Sequence, residues 1–528
     1  MKLLLIVFIQ LCLHFQSDVV AQQADLILFN GKIFTADDKQ LYVQALAIKG
    51  NKILATGSNA SIAKLTSAKT KQINLKGKTV VPGFNDAHDH PGGGAPIGKS
   101  YKYTEWDQVG LSKKSVLDSI SRLVKQAKPG EWISGLIGTE VFFDSTMRGA
   151  LDSLAPDNPV GLQVWWGHGM VINQKALQAV DLMDDDKDPV GGWYIRDGEN
   201  KISGLQQNAQ APVWIALHLS EPLNLIKGIR SYSAEQLLGG ITSTQFMGTG
   251  LNAALAYNIF REANLQQRIR IVRWPRSTPA GRQLQDWTTT NIPPTALTII
   301  SGIKYVIDGS PGEGNALRRE PYHQRGNGNG RLNYPIDTIK QILREALASD
   351  DQLIMHMTAD SSFSIVLALM QEVGNGEQWR PKRVRFEHNC VGPISAEQKK
   401  VLMDLGILMM HTPRYCQGSP LKSVLQSGVM VGIAPDGGTT NPFLDIMLAT
   451  SSQSDPKENL NVEQAVIAYT KTNAYAEFAE QTKGTLKKGM LADLAVLSQD
   501  IFTIPASQLP ATFSILTIMN GKIVHQQK

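Results

Sequence analysis

A (β/α)8 barrel with an insertion after its first strand, joined to a small β-sandwich built from both chain ends, is the fold class these 528 residues predict. Three observations carry that expectation. Eight short apolar runs recur between Thr79 and Asp436, most of them followed by a helix-like stretch, and such alternation implies a parallel sheet. Polar residues close several of the later runs, where a barrel carries its site. Finally, the same strand-and-turn texture marks the beginning and the end of the chain.

The N-terminal β segment runs from about Ala24 to Lys78. Leu26–Phe29 and Lys32–Thr35 flank Asn30-Gly31, and Ala45–Lys49 and Lys52–Ala55 flank Gly50-Asn51, both of them hairpin signals. At the other end Ala492–Leu497 and Phe513–Ile518 precede Asn520-Gly521 and Lys522–His525. The expected barrel strands are Thr79–Phe84, Ile241–Phe246, Ile269–Trp274, Ile303–Asp308, Gln352–Met357, Arg383–His388, Ile407–His411 and Val431–Asp436. Residues from about 100 to 235 read as an insertion with its own strand at Leu162–Trp166. The division that follows is 1–21 for a signal peptide, 22–80 with 484–528 for the β-sandwich, and 81–483 for the barrel.

Composition narrows the function classes. Apolar residues make up 42% and charged residues 19%, which excludes a disordered or coiled-coil chain. Fifty-two basic against 47 acidic residues leave +5, with no basic run, so neither nucleic acid nor an acidic membrane is expected as partner. A small-molecule substrate is the partner such a chain predicts. Lys2, the apolar stretch Leu3–Leu13 and the small-residue end Val19-Val20-Ala21 read as a secretory signal, with a bacterial periplasm as destination. Leu11 before Cys12 argues against a lipid anchor. Only Cys390 and Cys416 remain after cleavage; two unpaired thiols are the favoured reading and one bridge the alternative.

The chemistry concentrates in Gly83-Phe-Asn-Asp-Ala-His-Asp-His90. Histidines at i and i+2 of a strand face the same side, so His88 and His90 can reach one metal ion. His356, His388, His411 and Asp436 close the fifth to eighth expected strands, and Lys304 lies inside the apolar fourth. Imidazoles with one carboxylate suit zinc, with iron, manganese or nickel as alternatives. Trp165, Trp166, Gln245, Phe246, Trp274 and Arg148 are candidates for the substrate pocket; Arg318-Arg319 reads better as a solvated pair.

On these residues the chain resembles the amidohydrolase superfamily of metal-dependent hydrolases, specifically the amidohydrolase family 3 (YtcJ-like) branch, from about Ala24 to Val524. Further similar segments are Gly167-His168 with Asn173, Asp308-Gly-Ser310, Arg385-Phe-Glu-His388 and Lys483–Asp493. The resemblance implies one or two metal ions held by His88, His90, Lys304, His356, His388 and Asp436, with Lys304 carboxylated as a bridge. It implies Asp436 as proton shuttle, His168 as a second catalytic residue, and hydrolysis of an amide or other C–N bond by metal-activated water. It also leaves open ester or lactone cleavage, deamination, C–C cleavage or isomerisation, a non-catalytic binding protein, and a homodimer. Pro435, Thr244-Gln-Phe246 and the glutamines of Gly204–Ala209 depart from the family pattern, which bears on the pocket more than on the metal site.

Overall fold

The computed structural model describes residues 23–91, 99–100, 112–248, 251–283, 292–293, 296–322 and 328–527; the expected signal peptide lies outside them. Its centre is a sheet of eight parallel strands in sequential order: β1 (Phe84–Asp89), β2 (Ile241–Met247), β3 (Arg268–Arg273) and β4 (Thr298–Val306). It continues through β5 (Leu353–Met357), β6 (Arg385–His388), β7 (Leu408–His411) and β8 (Val431–Ile433). The ring is nearly closed. At its seam Asn473 Nδ2 donates to both Asn85 O on β1 and Ile433 O on β8, at 2.7 Å each. Above it, the Asp436 amide donates to His88 O at 3.0 Å. One buried side-chain amide thus does at this seam what a strand ladder does elsewhere.

The helices that matter for the site are α1 (Pro222–Leu238), α2 (Ala253–Ala263) and α3 (Pro442–Ser451). Helix α2 starts where Asn252 caps the Leu255 amide and stops where Asn264 turns left-handed at φ 50°. Its apolar stripe, Ala256, Ile259, Phe260 and Ala263, has helical spacing and packs with Leu225 and Ile229 of α1 and Phe246 of β2. This cluster forms one flank of the barrel mouth.

Two further sheets come from the chain ends. One has four strands from residues 26–74; the other joins Lys32–Phe34, Tyr42–Val43 and Thr79–Pro82 to Leu494–Leu497, Ser514–Met519 and Lys522–Gln526. Leu28, Ile33, Leu46, Leu494, Val496 and Ile518 pack together in the core they share. A third sheet of six strands, between Lys99 and Gln207, lies between β1 and β2 in the chain and includes Val160–Val164. No described helix is long and apolar enough to cross a membrane.

Three local expectations need correction. Thr79–Pro82 belongs to the terminal sheet, where it pairs with Lys32-Ile33 and Leu494–Val496, and the barrel strand starts at Phe84. Between them Gly83 lies so close to Thr242 that a Cβ would meet its side chain at 2.2 Å. Asn30-Gly31 does not make a hairpin: Leu26–Phe29 and Lys32–Phe34 run in different sheets, and Asn30 at φ 56° turns the corner. By contrast, Asn520 and Gly521, at φ 50° and 71°, close a true two-residue hairpin. Finally, Cys390 and Cys416 are joined as a disulfide. The parallel register of β6 with β7, His388 opposite His411, lays the two following loops side by side, with the cysteine Cα atoms 4.8 Å apart.

Candidate metal centre

His88 sits at the carboxyl end of β1 with Nδ1 2.5 Å from Glu387 Oε2 on β6. A carboxylate can only accept, so Nδ1 carries the proton and Nε2 presents a lone pair. A carboxylate that fixes the ring through its far nitrogen is what a metal-binding histidine needs. Glu387 is itself gripped by Arg385, whose Nε and Nη2 donate to its two oxygens at 2.8 and 3.1 Å. Burial works to raise the Glu387 carboxyl, but Arg385 and His88 outweigh it and hold it well below the usual range.

Around His88 Nε2 the other groups converge. Asp436 Oδ1 lies 3.2 Å from it and 3.3 Å from His90 Nε2. These three ligand atoms lie within 4.8 Å of one another, so one ion can touch all of them. Asp436 Oδ2 is 3.5 Å from His388 Nδ1, and Lys304 Nζ is 2.7 Å from His88 Nε2. The His356 and His388 rings stand 4.2 Å apart, and His388 Nε2 is buried without a hydrogen-bond partner. His388 and Asp436 both hold left-handed backbone, at φ 79° and 54°. Side chains rarely accept that conformation, and such strain clusters at functional sites.

The protonation pattern suits a cation. Burial drives His90 down to about 4 and holds His356 and His388 well below the ordinary imidazole range, so the rings are neutral near neutral pH. For Asp436 burial pushes upward, yet His88 and His388 hold its carboxyl well below the usual value. Lys304 is lowered to about 8 by burial, against the opposite pull of Asp436 and Glu387. A neutral amine is the form that carboxylation by CO2 requires. His411 lies opposite His388 in register, is pushed down to about 3 by burial, and is not part of the three-ligand group. Neutral imidazole nitrogens and an ionised carboxylate oxygen at this spacing fit a divalent metal of the zinc class.

The centre opens into a cavity of about 490 Å³ bordered by Trp165, Trp166, His168, Phe246 and Trp274. His168 Nδ1 is 2.6 Å from Glu313 Oε1, and its ring is 5.0 Å from that of His356. Glu313 is fully buried and also accepts from the Ser310 amide at 2.8 Å and Gln207 Nε2 at 3.0 Å. Sequence reasoning missed Glu313, because no spacing rule ties a loop glutamate after β4 to a histidine of the inserted sheet. Two pocket candidates are corrected. Arg148 is buried in the inserted segment, where it pairs with Asp184 at 2.5 Å and donates to Ile202 O at 2.9 Å. Gln245 is sealed inside the barrel, its Oε1 accepting from Arg270 at 3.0 Å and Arg385 at 2.5 Å. Neither borders the cavity. Arg318 curls over Tyr322 and Arg319 pairs with Asp360.

Behind the centre, Asp445 in the first turn of α3 is fully buried, and Tyr469 OH reaches its Oδ2 at 3.4 Å. Burial raises its carboxyl to about 8, beyond what Tyr469 and Arg414 offset. Between about pH 4 and 8 the folded chain therefore holds a proton there that the unfolded chain releases, so stability falls as pH rises through this window. We expect Asp445→Asn to flatten that decline by up to about 1.4 kcal/mol per pH unit. Urea midpoints of metal-free protein at pH 5 and pH 8 check it; identical slopes in both proteins would sink the assignment.

Comparison with known proteins agrees with this geometry. A profile of the amidohydrolase family matches residues 71–525. The putative amidohydrolase YtcJ of Bacillus subtilis (strain 168) is 25% identical over 95% of this chain and 99% of its own length. An N-substituted formamide deformylase of Arthrobacter pascens is 22% identical over 96% of this chain and 99% of its own. Among solved structures, an uncharacterised metal-dependent hydrolase of Pyrococcus furiosus superposes with a TM-score of 0.64 at 20% identity, covering 90% of this chain and all of that one. A profile match across the barrel and part of the terminal sheets, together with a shared fold and paired histidines facing a strand-end aspartate, leads to one conclusion: this chain belongs to the amidohydrolase family.

Proposed function

We propose that this protein is an exported hydrolase that cleaves an amide or other C–N bond of a small organic substrate. The observation that carries the reading is the group His88, His90 and Asp436, with Lys304, His356 and His388 beside it, at the floor of an open cavity. One or two zinc-class ions bound there would supply Lewis-acid polarisation of a carbonyl and activation of water near neutral pH. His88, His90 and Asp436 would hold the first ion, and Lys304, once carboxylated, with His356 and His388 would complete the set. Asp436, kept ionised by the imidazoles around it, accepts the water proton and returns it to the leaving nitrogen. His168, its Nδ1 held by Glu313 and its ring beside that of His356 in the cavity lining, is the second residue assigned to the substrate.

The family supports hydrolysis, and the formamide deformylase relative, by its name, supports a C–N bond as target. The Cys390–Cys416 disulfide supports export, because such bonds persist in oxidising compartments. A panel of neutral anilides and N-substituted formamides, tested with zinc-loaded protein, checks the reaction. We expect hydrolysis that stops on chelation and returns with metal. Metal-dependent turnover of esters but of no amide would contradict the C–N assignment.

A further inference from the structure

Resting on that reading, we infer that the substrate carries, beside the scissile bond, an uncharged apolar group of at least phenyl size. One wall of the cavity is the open face of a hydrophobic cluster. Leu225 and Ile229 of α1, Phe246 of β2, and Leu251, Ile259 and Phe260 around α2 belong to that cluster and also border the cavity. Phe246 and Phe260 meet edge to face, with ring centres 5.1 Å apart. The lining also includes Trp165 against Trp166, with centroids at 5.7 Å, and Leu136.

The charge census of the cavity excludes other substrate classes. Among the described residues that line it, the carboxylate is Asp436 and the ammonium is Lys304, both within the metal centre, and no arginine is present. A ligand carboxylate, phosphate or ammonium placed between the walls would therefore lose its water without gaining a counter-charge. His218 on the apolar side does not supply one. Its Nδ1 donates to Trp214 O at 2.8 Å, its ring stacks on Trp214 at 4.2 Å, and burial keeps it neutral, at about 4. Other buried polar atoms of the lining are uncharged: the indole nitrogens of Trp166 and Trp214, Gln210 Oε1 and Ser310 Oγ have no hydrogen-bond partner. Such walls select by apolar area and ring stacking, and a cavity of about 490 Å³ has room for a small drug-sized molecule.

Metal-binding hydroxamates test the inference without knowledge of the natural substrate. Calorimetry on the zinc-loaded protein compares acetohydroxamate, benzohydroxamate, 2-naphthohydroxamate and 4-carboxybenzohydroxamate. We expect benzohydroxamate to bind about tenfold or more tighter than acetohydroxamate, and the naphthyl compound at least as tightly, from the apolar area buried. The 4-carboxy compound is expected to lose that gain. In Phe246→Ala the ratio of benzo- to acetohydroxamate affinity should fall severalfold; the compound series on the unaltered protein decides the matter even if that variant does not fold. Equal affinities across the series, or a 4-carboxy compound that binds as well as its parent, would overturn the inference. Failure of acetohydroxamate itself to bind in a zinc-dependent way would instead overturn the metal reading on which it rests, and the inference with it.

Discussion

Asp436→Asn is expected to lower kcat by about 10²- to 10⁴-fold, the range that a positioned acid–base group contributes. The carboxylate approaches His88, His90 and His388 together, through Oδ1 at 3.2 and 3.3 Å and Oδ2 at 3.5 Å. An amide of the same shape keeps those contacts in outline but cannot take a proton. Folding should survive, because Asp436 sits at φ 54° and asparagine tolerates left-handed backbone better than most residues. The variant should therefore keep its melting temperature while kcat falls by that factor. Turnover within tenfold of the parent would remove Asp436 from the chemistry.

Arg385→Met is expected to have the largest effect on stability, about 3–5 kcal/mol, because it breaks a buried ion pair and leaves a charge behind. Arg385 is fully buried and all of its contacts are internal: both oxygens of Glu387, Gln245 Oε1 at 2.5 Å and Ala87 O at 2.7 Å. Methionine replaces the bulk but none of the donors. Glu387 then keeps its charge in an apolar interior, and its grip on His88 Nδ1 loosens. Metal affinity should drop about 10- to 100-fold through that second step. The double variant Arg385→Met with Glu387→Gln should recover part of the stability, since the stranded charge is gone. Urea denaturation of the two proteins reads both effects; a loss under about 1 kcal/mol in the single variant would contradict the network.

The ligand candidates were legible in the sequence because polar residues at the ends of apolar strands are costly unless they have a task. His356 and Asp436 close apolar runs, His88, His90 and His388 stand at the ends of strands that already carry polar residues, and a barrel gathers strand ends at one mouth. Lys304 stood out for the same reason. Groups that act by packing around these were harder to see. Glu313 lies in a glycine-rich loop, and only the fold brings it against His168 across 145 positions. Asn473, which closes the ring, looks in the sequence like any helix asparagine. Arg148 and Gln245 were misplaced because residue type says nothing about direction: one turns to Asp184, the other into the barrel. The expected start of β1 is too early because a single glycine separates two buried strands that belong to different sheets. Periodicity marks a strand but not its partner.

Elemental analysis of the purified protein beside His88→Ala tests the central claim most directly. The account predicts one to two equivalents of a zinc-class metal in the parent protein. It predicts a loss of at least one in the variant, whose far-ultraviolet circular dichroism stays the same. A parent protein that takes up no metal even after reconstitution, or a variant that keeps its full complement, would contradict the assignment of this cluster as the hydrolytic centre.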